Sequence, residues 1–151
     1  MRILRPENDL GTHGVTEPAI FLAGPTPRSD DVATWRPRAV ELFAAATFAG
    51  DLLLPEPFVG DFDSQVAWER AGLEQATLII FWVPRNLDDL PGFTTNVEFG
   101  RYVTSGKILY GRPHQAPKTR YLDWLYELET GQPPLQTLED LVVQAVNKVS
   151  K

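Results

Sequence analysis

Leu78-Ile79-Ile80-Phe81-Trp82-Val83 sets six apolar side chains in succession, and this run restricts the fold more than any other stretch of the chain. A strand presents successive side chains to opposite faces, so an unbroken apolar run needs cover on both. That is the place of a central strand in a parallel sheet with helices above and below it. Ala19-Ile20-Phe21-Leu22-Ala23 is a second continuous run, ended by Gly24-Pro25. Asp51-Leu52-Leu53-Leu54-Pro55 and Lys107-Ile108-Leu109-Tyr110-Gly111 read as further short strands, and Glu56 to Phe62 as a Pro/Gly-punctuated loop. Between the strands lie helical patterns. One carries Trp35, Val40, Phe43 and Ala44 as its apolar stripe, with Pro37 in its first turn. A second is capped by Ser64 and runs to about Ala76, and a third opens at Thr95 and ends near Gly106. Tyr121 to Leu128 is aromatic and apolar, and Thr137-Leu138-Glu139-Asp140 is an acidic capping box before a last helix. Strands alternating with helices predict one doubly wound α/β domain over residues 19–151, with a mostly parallel sheet of four to five strands flanked by helices. Residues 1–18 lack periodicity and are expected to form an irregular lead-in.

The composition narrows the chemistry. At 151 residues the chain suits a single domain, and its net charge of −6 argues against binding a nucleic-acid polymer through a basic patch. There is no cysteine, and the histidines are His13 and His114, so neither a thiolate metal site nor a histidine-centred one is expected. No apolar run approaches the ~20 residues of a membrane span, and Met1 to Pro6 has no signal-peptide core, so a cytoplasmic protein without membrane contact is expected. Carboxylates, arginines, hydroxyls and backbone are left to act.

In open parallel sheets, ligands bind beyond the carboxyl ends of the strands. Those ends carry Gly24-Pro25-Thr26-Pro27-Arg28, Pro55-Glu56-Pro57, Pro84-Arg85-Asn86 and Gly111-Arg112-Pro113. Gly24 and Pro25 would let a ligand approach the backbone, Thr26 offers a hydroxyl, and Arg28 offers a fork for a phosphate or carboxylate. The same residues also suit a rigid turn with a surface arginine. Glu98 closes a Thr95-x-x-Glu98 capping box, in which it would only reach back to the helix end. Placed in a first helical turn beside the crevice, it would instead be held ionised by the helix dipole and could attack an anomeric carbon. Glu69 shares a stripe with Val66, Leu73 and Ala76, where partial burial would raise its pKa and suit it to act as a general acid. An edge glutamate reaching water is the plainer alternative. Nucleobases stack on aromatic side chains, and five lie near the crevice segments, Trp35 and Trp68 among them, most of them expected in the core. Trp82 first, then Phe93 and Tyr102, are the candidates for that contact, with Asn96 as a further polar one.

These residues carry a resemblance. Ile20-Phe21-Leu22-Ala23-Gly24-Pro25, then Trp68-Glu69 with Leu73-Glu74-Gln75-Ala76-Thr77, then Thr95-Asn96-Val97-Glu98-Phe99-Gly100-Arg101, resemble the nucleoside 2-deoxyribosyltransferase-like superfamily. The likeness covers most of Ala19 to Gly111. It implies a flavodoxin-like fold, no metal or organic cofactor, a catalytic glutamate at Glu98 and a second carboxylate at Glu69. Glu69 departs from the aspartate more usual there. The substrate implied is a (2′-deoxy)nucleoside, cleaved through a covalent glycosyl-glutamate with transfer of the sugar to another base. Hydrolysis of (deoxy)nucleoside 5′-monophosphates, with Arg28 and Ser29 on the phosphate, and a non-catalytic nucleotide-binding or sensing module are the alternatives. The resemblance also implies a homo-oligomer, for which Tyr121 to Leu128 would be an interface.

Overall fold

A computed structural model describes residues 1–57 and 60–150. The expected doubly wound α/β architecture is present. The elements are β1 (Arg2–Leu4), α1 (Leu10–His13), β2 (Ala19–Ala23), α2 (Arg36–Ala45), β3 (Asp51–Leu53), α3 (Phe62–Gln75), β4 (Leu78–Trp82), α4 (Phe93–Tyr102), β5 (Ile108–Gly111), α5 (Arg120–Thr130) and α6 (Leu138–Val149), with a 3₁₀ turn at Val103–Ser105. The five strands pair in the order β1-β3-β2-β4-β5, all parallel. From β3 to β5 the order is that of a flavodoxin-like sheet, whose chain reverses direction across the sheet between β2 and β4. Within the loop expected over Glu56 to Phe62, Phe58 and Val59 lie outside the described residues, as does Lys151.

Strand parity divides the core in two. Phe21, Ile79, Phe81 and Tyr110 point to the face covered by α1, α3, α4 and α5, where they pack with Leu73, Phe99 and Tyr126. Ile20, Leu22, Ile80 and Trp82 point to the face covered by α2 and α6, against Phe43, Leu141 and Val142. Both faces of β2 and β4 are buried along their whole length, as their unbroken apolar runs require.

Part of the expected irregular lead-in is ordered structure. Arg2–Leu4 joins the sheet edge beside β3, Leu4 is buried, and Arg2 pairs with Asp51 at 2.5 Å. Three residues are too few to show a period, which is why no sequence pattern marks them. Two helix starts also shift. α3 begins at Phe62, capped by Asp61, whose carboxylate accepts from the Ser64 amide at 2.8 Å. α4 begins at Phe93, with Gly92 as its cap in the left-handed region at φ 65°, so Thr95 is an interior residue. Thr137 caps α6 as expected, accepting from the Asp140 amide. No helix among the described residues is long and apolar enough to cross a membrane.

Candidate active site

The turn after β2 is the floor of the site. Gly24 has φ +151°, and a Cβ there would lie 2.1 Å from the Trp82 carbonyl oxygen and 3.0 Å from the Trp35 ring. Only glycine lets the chain cross β4 at that distance. Trp35 steadies the turn from below, its indole N–H donating to the Pro25 carbonyl at 3.2 Å. Gly92 closes the same gap from the other side, since a Cβ on it would meet Pro25 at 2.8 Å. The two glycines let the start of α4 sit against the β2 turn.

A cavity of about 370 Å³ opens between this turn, α3 and the start of α4. That is within the roughly 300–1,000 Å³ range of small-molecule sites. Gly24, Pro25, Thr26, Arg28, Glu69, Phe93 and Glu98 line it. The structure therefore brings together seven of the ten residues expected to react with or touch a nucleoside, while Ser29, expected beside Arg28 on a phosphate, lines a separate hollow with Thr34 and Val40.

The other three stand elsewhere, for geometric reasons. Trp82 has the wrong parity: it faces α2 and α6, within the opposite half of the core. Tyr102 lies one helical turn beyond Glu98, about 6 Å further along α4, and is buried near Lys107 at the far end of the strands. Asn96 precedes Glu98 by two residues, about 200° around the helix, and turns away to accept from the Arg85 guanidinium. Trp35 and Trp68 are also core residues, and Trp68 donates to the Asn8 carbonyl at 2.9 Å.

Two groups that the sequence reading passed over complete the site. Arg36 is 1% exposed and donates three ways, to the Leu22 carbonyl at 3.0 Å, the Thr26 hydroxyl at 3.1 Å and the Gly24 carbonyl at 2.8 Å. It also pairs with Glu56 at 3.0 Å. Its signal was present: Arg36, Ala39 and Phe43 are spaced i, i+3 and i+7, which puts an arginine on the buried stripe of α2. Phe62 is the second group. It is the first residue of α3, lines the cavity and is 72% exposed, while Phe93, the first residue of α4, is 71% exposed. Both phenyl rings belong to the cavity lining yet remain open to solvent. Val66 joins them there, half-exposed, rather than packing in the core stripe expected of it. The Arg28 guanidinium lies 5.8 Å from the centre of the Phe93 ring and donates to the Asp88 carbonyl at 3.2 Å.

The carboxylates differ from expectation in one respect. Glu98 is the sixth residue of α4, beyond the first turn, so the helix dipole does little for it. Burial, with Glu69 adding like-charge repulsion, pushes Glu98 up to about 7, against a smaller pull from Arg36. Glu69 is also raised, chiefly by burial, although a 2.7 Å bond from the Gln65 amide and the charge of Arg36 hold it back. Glu98 is thus not held ionised, as expected from a first-turn position, but is poised to lose its proton near neutrality.

No curated protein matches the chain. A solved structure of a conserved protein from Enterococcus faecalis V583 is similar, at 17% identity over 87% of each chain, with a TM-score of 0.44. A family model described as nucleoside 2-deoxyribosyltransferase like matches residues 17–116, which include the β2 turn, Glu56, Glu69 and Glu98. The match spans about two thirds of the sequence, and the chain belongs to the nucleoside 2-deoxyribosyltransferase-like family.

Proposed function

We propose that this protein breaks the N-glycosidic bond of a (2′-deoxy)nucleoside, with Glu98 as nucleophile, and passes the deoxyribosyl group to another base. The observation that carries this reading is the pairing of Glu98 with Glu69 in one cavity beneath two solvent-open phenylalanines. The base stacks against Phe93 and Phe62, and the sugar lies over the Gly24-Pro25 turn. A Glu98 carboxylate oxygen attacks C1′ as the C1′–N bond breaks, and the electron pair of that bond goes to the base. Glu69, whose carboxyl pKa burial raises, or a nearby water gives a proton to the departing nitrogen. An incoming base then attacks C1′, releases Glu98 and gives up the proton that the first base took. A 2′-deoxy sugar suits this course, because a 2′-hydroxyl withdraws electrons from the developing cation.

The exposed Tyr121, Trp124 and Leu128 on α5 support association with a second copy, which light scattering of the purified protein would test. For the chemistry, nucleosides and 5′-monophosphates, ribo and deoxy, would be incubated with and without a second free base and separated by chromatography. A new nucleoside formed only in the presence of acceptor is the expected result. Base released without acceptor would make the protein a hydrolase, and a preference for monophosphates would assign Arg28 to the phosphate. Glu98→Gln should abolish turnover and keep the fold. Full activity in that variant would overturn the nucleophile.

A further inference from the structure

Arg36 faces acids on two sides. Behind the β2 turn, Glu56 Oε2 lies 3.0 Å from Nη1, and the Thr34 hydroxyl donates to the other Glu56 oxygen. In front, Glu69 and Glu98 line the cavity, and the charge of Arg36 draws both of them down. Those two carboxylates and Glu56 in turn favour the charged guanidinium against its burial. Two other cations stand nearby, and both are engaged elsewhere. Arg5 donates to the Glu56 backbone carbonyl at 2.7 Å, and Arg28 is held at the mouth by Phe93 and the Asp88 carbonyl. The Glu56 side chain takes no part in the cavity and instead borders a hollow on the other side of the turn, with Thr34, Val40 and Leu54.

An isolated buried cation projects its field over several ångströms, whereas an ion pair is a dipole whose field falls off faster. Glu56 therefore governs how much of the Arg36 charge is felt across the turn. We propose that Glu56 is a positioning residue acting through Arg36: it anchors the guanidinium behind the Gly24 turn and limits the positive charge that reaches Glu69 and Glu98. The catalytic meaning of this rests on Glu98 being the nucleophile, since a cavity with a stronger positive field would ionise Glu98 at lower pH.

The test is a carbon-13 NMR titration of glutamate side-chain carboxyls in the full-length protein, with Glu98→Gln used to assign the Glu98 signal. It needs no substrate. Glu56→Gln keeps an oxygen for Arg36 while removing the charge, and the Glu98 titration should move down by roughly 0.5–1 pH unit. The rising limb of kcat/KM against pH should move with it. The double variant R36M/E56Q carries no lone buried charge, so it keeps the test available if Glu56→Gln does not fold. There Glu98 should titrate at or above its wild-type position. An unmoved titration in Glu56→Gln, or a double variant titrating below wild type, overturns the proposal. Absence of nucleoside cleavage alongside the expected titration shifts would instead refute the catalytic reading and leave the Glu56–Arg36 relation standing.

Discussion

Replacing Glu98 by glutamine should make the protein more stable, and increasingly so as the pH rises. Burial and Glu69 lift the Glu98 carboxyl to about 7 in the folded chain, against 4.5 for an ordinary glutamate in water. A carboxyl with a raised folded pKa contributes stability that is complete below its unfolded pKa and is lost as the pH climbs through the folded one. The gap of about 2.5 units corresponds to about 3 kcal/mol, of which about 2 kcal/mol is lost between pH 5.5 and 8.5. Glutamine has the same shape without the charge, so it escapes this loss. For a chain of this size, about 2 kcal/mol is roughly 4–8 °C in Tm. Thermal unfolding of both proteins, followed by circular dichroism across this pH range, should show the Tm advantage of Glu98→Gln widening by that amount. A difference that stays flat from pH 5.5 to 8.5 would mean that Glu98 is not a desolvated carboxylate beside Glu69, and the electrostatic account of the site would fall. The expected trend also fits a general trade: a charge held in an apolar cavity costs stability and is kept for its use.

Catalysis should show the same ionisation from the other side. In the proposed reaction the nucleophile is the Glu98 carboxylate, so kcat/KM should rise with pH through about 7 and fall away below it; a rate already level from pH 5 upward would contradict this. Phe62→Ala and Phe93→Ala should each weaken nucleoside binding by ~1–3 kcal/mol, or roughly 5- to 150-fold in Kd by calorimetry, with little change in Tm because both rings are exposed. Trp82→Leu should do the reverse, lowering Tm while leaving Kd nearly unchanged, because its ring is packed in the α2/α6 half of the core. Gly92→Ala forces a side chain into a left-handed residue 2.8 Å from Pro25, so activity should fall together with about 1–3 kcal/mol of stability in urea unfolding.

The central strand, the β2 run with its Gly-Pro end and the alternation of strand and helix were legible because hydrophobic period and turn chemistry are local properties. So were Glu69 and Glu98 as the carboxylates to examine. The misplacements share one cause. Trp82 and Phe81 are equally apolar in a strand buried on both faces, and a run without alternation does not reveal which of them faces α4. Thr95-x-x-Glu98 meets the capping rule, but the start of α4 is set one turn earlier, where Gly92 approaches Pro25. Arg2–Leu4 becomes a strand only because β3 offers it an edge.

By itself, then, the sequence determined the layered parallel sheet, the crevice at its carboxyl edge and the two glutamates beside it, because burial period, glycine and proline act within a few residues. Only the tertiary structure decided which aromatic rings open onto the cavity, where Arg36 spends its charge and why Glu98 titrates near neutrality. Those are consequences of desolvation and of charges brought together from α2, α3, α4 and the end of β3. Such terms depend on distance and burial in space, which a linear pattern does not record.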